Sequence, residues 1–209
     1  DIMASLPIVV LYSSMKEEEA LKFFEQAIVR ARDLGQKGIE SLILTSQGIY
    51  LCFLGHLYQG YLMILEAEAL CRGTGDQVAI LRNRTYRALS EKWMGRPEKA
   101  VELTEGLVES LRGIFYFNNL PLVIWFRALT LAEMGRIEEA MPLFREGIEI
   151  CEKSGIIPYL LRLYNSLGYC YSEIHHPRQA WHWNVRCEEM ARKFMSQYPM
   201  AQQMAAEMG

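Results

Sequence analysis

Three guanidinium groups fall within six residues at RNRTYR, Arg82 to Arg87, the densest cationic run of this 209-residue chain. Their planar forks suit a carboxylate or a phosphate. The competing use is structural, with Arg87 paired to Glu91 one helical turn on and Arg84 directed to solvent. The remaining polar candidates fail on spacing. His175, His176 and His182 lack the i,i+4 geometry of a helical metal pair and have no carboxylate or cysteine framework around them, so no metal site is expected. Five cysteines (Cys52, Cys71, Cys151, Cys170 and Cys187) form no CxxC pair and are odd in number, which points away from zinc or a complete disulfide framework and toward a reducing, cytoplasmic setting. The acidic pairs Glu138-Glu139 and Glu188-Glu189 lie on the outer faces of predicted helices, where carboxylates are solvated. No phosphate loop, GxSxG elbow, HExxH pair or strand-borne GxGxxG is present. The chain therefore reads as non-enzymatic, without cofactor or metal.

The elements that position these groups follow from composition and period. Apolar residues make up 51% of the chain and charged ones 22%, with a formal charge of -3, as in a soluble globular protein. That charge gives no electrostatic reason to expect nucleic acid or an acidic membrane surface. The longest apolar runs, Leu6 to Tyr12 and Leu120 to Phe126, fall short of the roughly 18 residues of a membrane span, and no signal peptide opens the chain.

The stretch ALTLAEMGRIEEAMPLFREGI, residues 128 to 148, recurs every 40 residues without a gap. Gly135 heads a turn column of Met15, Gly55, Gly95, Gly135 and His175. Five residues later stands a column of small side chains, Ala20, Gly60, Ala100, Ala140 and Ala180. Seven before the turn stands another, Ile8, Gly48, Ala88, Ala128 and Gly168. Small residues on both sides of a turn let two helices approach closely. Leu21, Tyr61, Val101, Met141 and Trp181 form one large apolar column, and Phe23, Met63, Leu103, Leu143 and Trp183 another, so both tryptophans are expected in the core. Within a repeat, the second segment has apolar Ile137, Ala140, Met141, Phe144, Ile148 and Cys151 at helical spacing. The first segment, Leu122 to Met134, is apolar nearly all round, as in a helix covered on both sides. Pro97 and Pro177 stand where second helices begin, and Gly35, Gly75 and Gly155 where they end. Pro142, inside a helix, predicts a local bend.

This spacing predicts five helix hairpins at about 1–35, 36–75, 76–115, 116–155 and 156–196 in a single domain spanning 1–209. Residues 197–209 read as the start of a sixth, as if the natural protein continues, and a first residue Asp1 agrees with an excised or processed piece. Helix pairs of this kind bury their faces only by stacking.

Leu167-Gly168 with Tyr171, Ala180 and Cys187, and Ala128, Gly135, Ala140, Phe144 and Gly147, resemble the tetratricopeptide repeat (TPR). The likeness covers nearly the whole chain, although the first repeat departs from it with Ile8 and Met15. The longer period resembles the long-helix TPR sensor regions of multidomain signal-transduction ATPases, including those linked to transcription activators, kinases and cyclases. The resemblance implies an all-α, α-α superhelix whose first helices line a concave groove for a protein or peptide partner. Transferred by register, the groove residues are Thr45 and Ile49, then Arg82, Thr85 and Leu89, then Trp125 and Leu129, and finally Arg162, Asn165 and Tyr169. Such a lining suits a segment with acidic and apolar side chains; the same residues could instead contact the neighbouring helix. The expected function is a non-catalytic interaction or signal-sensing module within a larger regulatory protein. The alternative is a structural spacer or self-associating scaffold with an empty groove. Nucleic acid and membrane are not expected as partners.

Overall fold

The computed structural model describes residues 16–113 and 120–197. Nine helices occupy them: α1 (Glu17–Asp33), α2 (Lys37–Phe53), α3 (Leu57–Arg72), α4 (Gln77–Trp93), α5 (Pro97–Gly113), α6 (Leu120–Glu133), α7 (Ile137–Ser154), α8 (Ile157–Glu173) and α9 (Pro177–Gln197). No strand occurs among the described residues. The first helix expected of the first repeat, and the expected start of a sixth repeat, lie outside them. None of the described helices is long and apolar enough to cross a membrane.

The turn columns of the sequence have a common backbone cause. Gly55, Gly95 and Gly135 adopt φ of 91°, 75° and 79°, a left-handed conformation that costs glycine little. Each residue after them returns its N–H to a carbonyl five residues back, as in Arg136 N to Leu131 O at 2.9 Å and Arg96 N to Glu91 O at 2.9 Å. This closes the first helix in a Schellman-type cap. His175 takes the same turn at φ 58° without being glycine, and His176 still bonds Tyr171 O at 2.8 Å. Helices α5 and α9 begin at Pro97 and Pro177, and α7 runs unbroken past Pro142.

The chain divides into two compact halves, residues 1–110 and 111–209. In the first, α1, α2 and α3 enclose a core of Phe24, Ile28, Ile43, Leu44, Tyr50 and Ala67. Helices α2 and α3 cross where Gly48 meets Gly60: a Cβ on Gly48 would stand 2.7 Å from Gly60 O and 2.8 Å from Ile64 Cγ1. A buried polar cluster ties α4 to α2 and α3. Asn83 Nδ2 contacts Ser41 Oγ at 3.1 Å, Cys71 Sγ at 2.9 Å and Ala79 O at 3.0 Å, and Asn83 Oδ1 lies against Thr45 Oγ1.

In the second half, α6 packs on α7 and α8, and α8 on α9. Ala128 and Ala140 are fully buried at the first hairpin. Gly147 is closely walled: a Cβ there would meet Leu163 Cδ2 at 2.8 Å and Ile124 Cγ2 at 3.2 Å. Helix α6 is buried nearly all round, from Leu120 through Ile124, Phe126, Ala128 and Ala132.

The two tryptophans expected in the core part company. Trp183 packs on Tyr164, with ring centroids 5.6 Å apart, but Trp181 is 73% exposed. Tyr61, three repeats earlier in the same column, reaches Glu91 of the helix that follows at 2.8 Å, whereas no described helix follows α9.

Candidate binding surface

Helices α6 and α8 are the first helices of adjacent hairpins, so equivalent faces of the two lie side by side. Trp125 and Leu129 are one turn apart on α6, and Arg162, Asn165, Ser166 and Tyr169 recur at helical spacing on α8. The structure joins Trp125 to Ser166 and Arg162. Trp125 Nε1 donates to Ser166 Oγ at 2.9 Å, which fixes the indole across the two helices. The guanidinium carbon of Arg162 lies 5.0 Å from the centroid of the Trp125 ring, a cation–π arrangement. Trp125 also tilts against Phe126 at 4.8 Å. Leu129 is half-buried, Arg162 and Asn165 are exposed, and Tyr169 is 40% exposed. Among the described residues no carboxylate pairs with Arg162. Chemically this is a flat aromatic plate with a guanidinium on it and amide and phenol groups beside it, competent to hold a carboxylate next to an apolar side chain.

The residues expected on the same face of the earlier repeats sit differently. Arg82, Thr85 and Leu89 are 6%, 0% and 4% exposed. Thr85 Oγ1 donates to Leu81 O at 2.9 Å within its own helix. Thr45 and Ile49 are buried as well, at 2% and 3%. A side chain this deeply buried meets a ligand only after repacking. Of the residues expected on this face, Trp125, Leu129, Arg162, Asn165 and Tyr169 are at least partly accessible, and Arg82, Thr85 and Leu89 lie in the interior.

The run RNRTYR is divided by helix geometry. At about 100° per residue, Arg84, Arg87 and Glu91 share one side of α4, and Arg82, Thr85 and Leu89 share the other. On the first side lie two buried carboxylates. Glu68, 2% exposed, receives Arg72 Nη2 at 2.7 Å and Arg87 Nη1 at 3.0 Å, with Arg84 Nε 4.0 Å away. Glu91 is fully buried. Tyr61 Oη donates to it at 2.8 Å, Arg96 Nε stands at 3.1 Å, Lys99 Nζ at 3.4 Å and Arg87 Nε at 3.9 Å. Burial by itself would raise the Glu68 carboxyl, but the Arg72 and Arg87 hydrogen bonds outweigh it and hold the group below its ordinary value of 4.5. The expected Arg87–Glu91 pair is present at long range. The closer partner, Glu68, escapes a reading of the sequence, because it comes from another helix and no local spacing links it to Arg87.

The cysteines carry no reactive geometry: burial pushes Cys52 and Cys170 up to about 11 and Cys151 up to about 12. Among the described residues no group of three or more His, Cys, Asp or Glu side chains is placed to hold a metal ion.

No family model matches this chain, and no curated protein matches it. Solved structures do. A Podosopora anserina protein of the kinesin light chain type, with nearly identical TPR-like repeats, is 15% identical with TM-score 0.69, covering 93% of this chain and 95% of that one. A Rap protein solved in complex with Competence and Sporulation Factor is 11% identical with TM-score 0.63, covering 94% of this chain and 66% of that one. MamA of MSR-1 is 14% identical with TM-score 0.52, covering 82% of this chain and 96% of that one. The fold is thus an all-α, TPR-like array of the α-α superhelix class.

Proposed function

We propose that this chain is a non-catalytic interaction module that captures an acidic, apolar peptide segment or partner domain on the α6–α8 face. In this reading it is the signal-sensing part of a larger regulatory protein, as the long-helix resemblance implies. The observation that carries the proposal is the exposed Arg162 guanidinium laid on the Trp125 plate, with no carboxylate paired to it among the described residues. A guanidinium held in place by a ring loses little freedom on binding, and a partner carboxylate completes its charge. The likeness to a Rap protein solved with a bound factor supports the reading at the level of fold.

A peptide library displayed against the full chain tests it. Wild type should enrich sequences with a carboxylate beside an apolar side chain, and Arg162→Glu should lose that enrichment by about tenfold or more while melting within about 2 °C of wild type, since Arg162 is exposed. Enrichment of the same sequences by both proteins would place the binding surface elsewhere. Should the chain enrich nothing and instead sediment as a concentration-dependent dimer, the scaffold alternative replaces this one.

A further inference from the structure

On the other side of α4 from Arg82, the helices α3, α4 and α5 enclose an open cavity of about 350 Å³. Arg72, Arg84 and Arg87 line one wall with Glu68, and Glu102, Leu103, Gly106 and Ser110 line the other. Three guanidinium groups meet two carboxylates, so the cavity keeps a net positive charge. Glu68 is consumed as a brace: it is buried and holds Arg72 and Arg87 at 2.7 Å and 3.0 Å. Arg84 is not held so closely, its Nε 4.0 Å from Glu68, and its side chain is 47% exposed. Arg72 is 62% exposed. Both line the cavity and keep guanidinium N–H groups beyond those directed at Glu68.

The repeat register shows that this ionic wall is an addition to the fold. The positions equivalent to Glu68 are Ile28, Val108, Ile148 and Glu188, and those equivalent to Glu91 are Leu11, Leu51, Leu131 and Tyr171. Other copies stack with apolar residues at most of these places, and apolar residues of similar volume generally serve stability as well as a buried ion pair or better. The second and third hairpins carry charge where stacking does not ask for it.

We infer that this cavity is a binding site for one phosphate monoester group. Arg72 and Arg84 supply the guanidinium forks that fit its oxygens, and Glu68 fixes the arginine wall before the ligand arrives. Leu103, Leu107 and Gly106 leave room for a small uncharged body. Glu102, exposed on the opposite wall, repels a second anionic group, so the site takes a monophosphate in preference to a diphosphate. The site faces away from the α4 side chains Arg82, Thr85 and Leu89, and it does not depend on the peptide reading of the α6–α8 face.

The test is calorimetric titration of the full chain with glycerol 3-phosphate, a phosphate monoester with an uncharged body, with inorganic phosphate as a second probe, together with amide chemical-shift mapping. Saturable binding of glycerol 3-phosphate is expected, with shifts confined to α3, α4 and α5. Arg84→Gln should weaken it about tenfold or more, the loss of one charge-assisted hydrogen bond, at unchanged melting temperature. Arg72→Gln should do the same, and Glu102→Gln should strengthen binding. A serine-phosphorylated peptide binding at least about tenfold tighter than glycerol 3-phosphate would identify the source as a phosphorylated chain, and equal or weaker binding would identify a small phosphate. Absence of saturable binding at millimolar probe, equal affinity in wild type and Arg84→Gln, or shifts centred on other helices would overturn the assignment.

Discussion

Replacing Gly60 by alanine adds one methyl group to the α2–α3 crossing, and the surroundings decide its cost. The new Cβ would overlap Gly48 O and stand 2.5 Å from Cys52 Sγ and 3.1 Å from Cys52 N, against an ordinary separation of about 3.5–4.0 Å. Two of these neighbours are backbone atoms, so no rotamer change relieves the overlap and the helices must move apart. Overpacking costs about 1–3 kcal/mol, and backbone contact places this case at the upper end. Alanine recovers about 1 kcal/mol of helix propensity. The net loss is about 2 kcal/mol, or about 4–8 °C in Tm for a chain of this length. Two other glycines serve as controls. Gly106 is in the interior of α5, and a Cβ there would have nothing within 4 Å, so Gly106→Ala should gain about 0.5–1 kcal/mol. A Cβ on Gly168 would press on the end of the Asn184 side chain but stay 3.5 Å from Ala180 O, so Gly168→Ala should fall between the two. Thermal melts followed by circular dichroism, with urea titrations, measure all three. A Gly60→Ala protein that melts at or above wild type would refute the close-approach account.

Two further outcomes follow from the ionisable groups. Because the folded Glu68 carboxyl lies below its ordinary 4.5, its contribution is present above that value and is lost as pH falls through the folded value. Glu68→Gln should therefore cost about 1–3 kcal/mol near neutral pH and flatten the acid limb of urea-midpoint against pH; parallel limbs for the two proteins would refute the pairing. Alkylation by iodoacetamide at mildly alkaline pH should modify Cys187 first, since it is only partly buried, whereas Cys71 is fully buried and burial raises Cys52, Cys151 and Cys170 to about 11 or 12. Mass spectrometry of the native protein reads the order, and early labelling of Cys151 would contradict it.

Much of the fold is legible in the sequence because its determinants are local. A left-handed turn selects glycine, a helix start tolerates proline, and a close crossing requires small residues, so Gly135, Pro97 and the pair Gly48 and Gly60 each announce their role within a few residues. The candidate binding surface is legible only in part. Register places Arg82, Thr85 and Leu89 on the same helical face as Arg162, Asn165 and Tyr169, and the structure buries the first three and exposes the others. Solvent exposure depends on what lies across from a face, which a helical period does not encode. Trp181 departs from its column for the same reason.

The polar interior gives the clearest division between what is written along the chain and what packing adds. Register alone marks the second and third hairpins as unusual: Asn83 stands where other copies have Met3, Ile43, Val123 and Leu163, and Glu68 and Glu91 likewise replace mostly apolar residues. It does not say which charges meet, since Glu68 and Arg87 lie on different helices and their 3.0 Å contact is set by how α3 and α4 pack. Period and turn chemistry act between residues a few places apart, so the order of amino acids contains them. Pairing, burial and the cavity between α3, α4 and α5 arise only when separate helices are brought together.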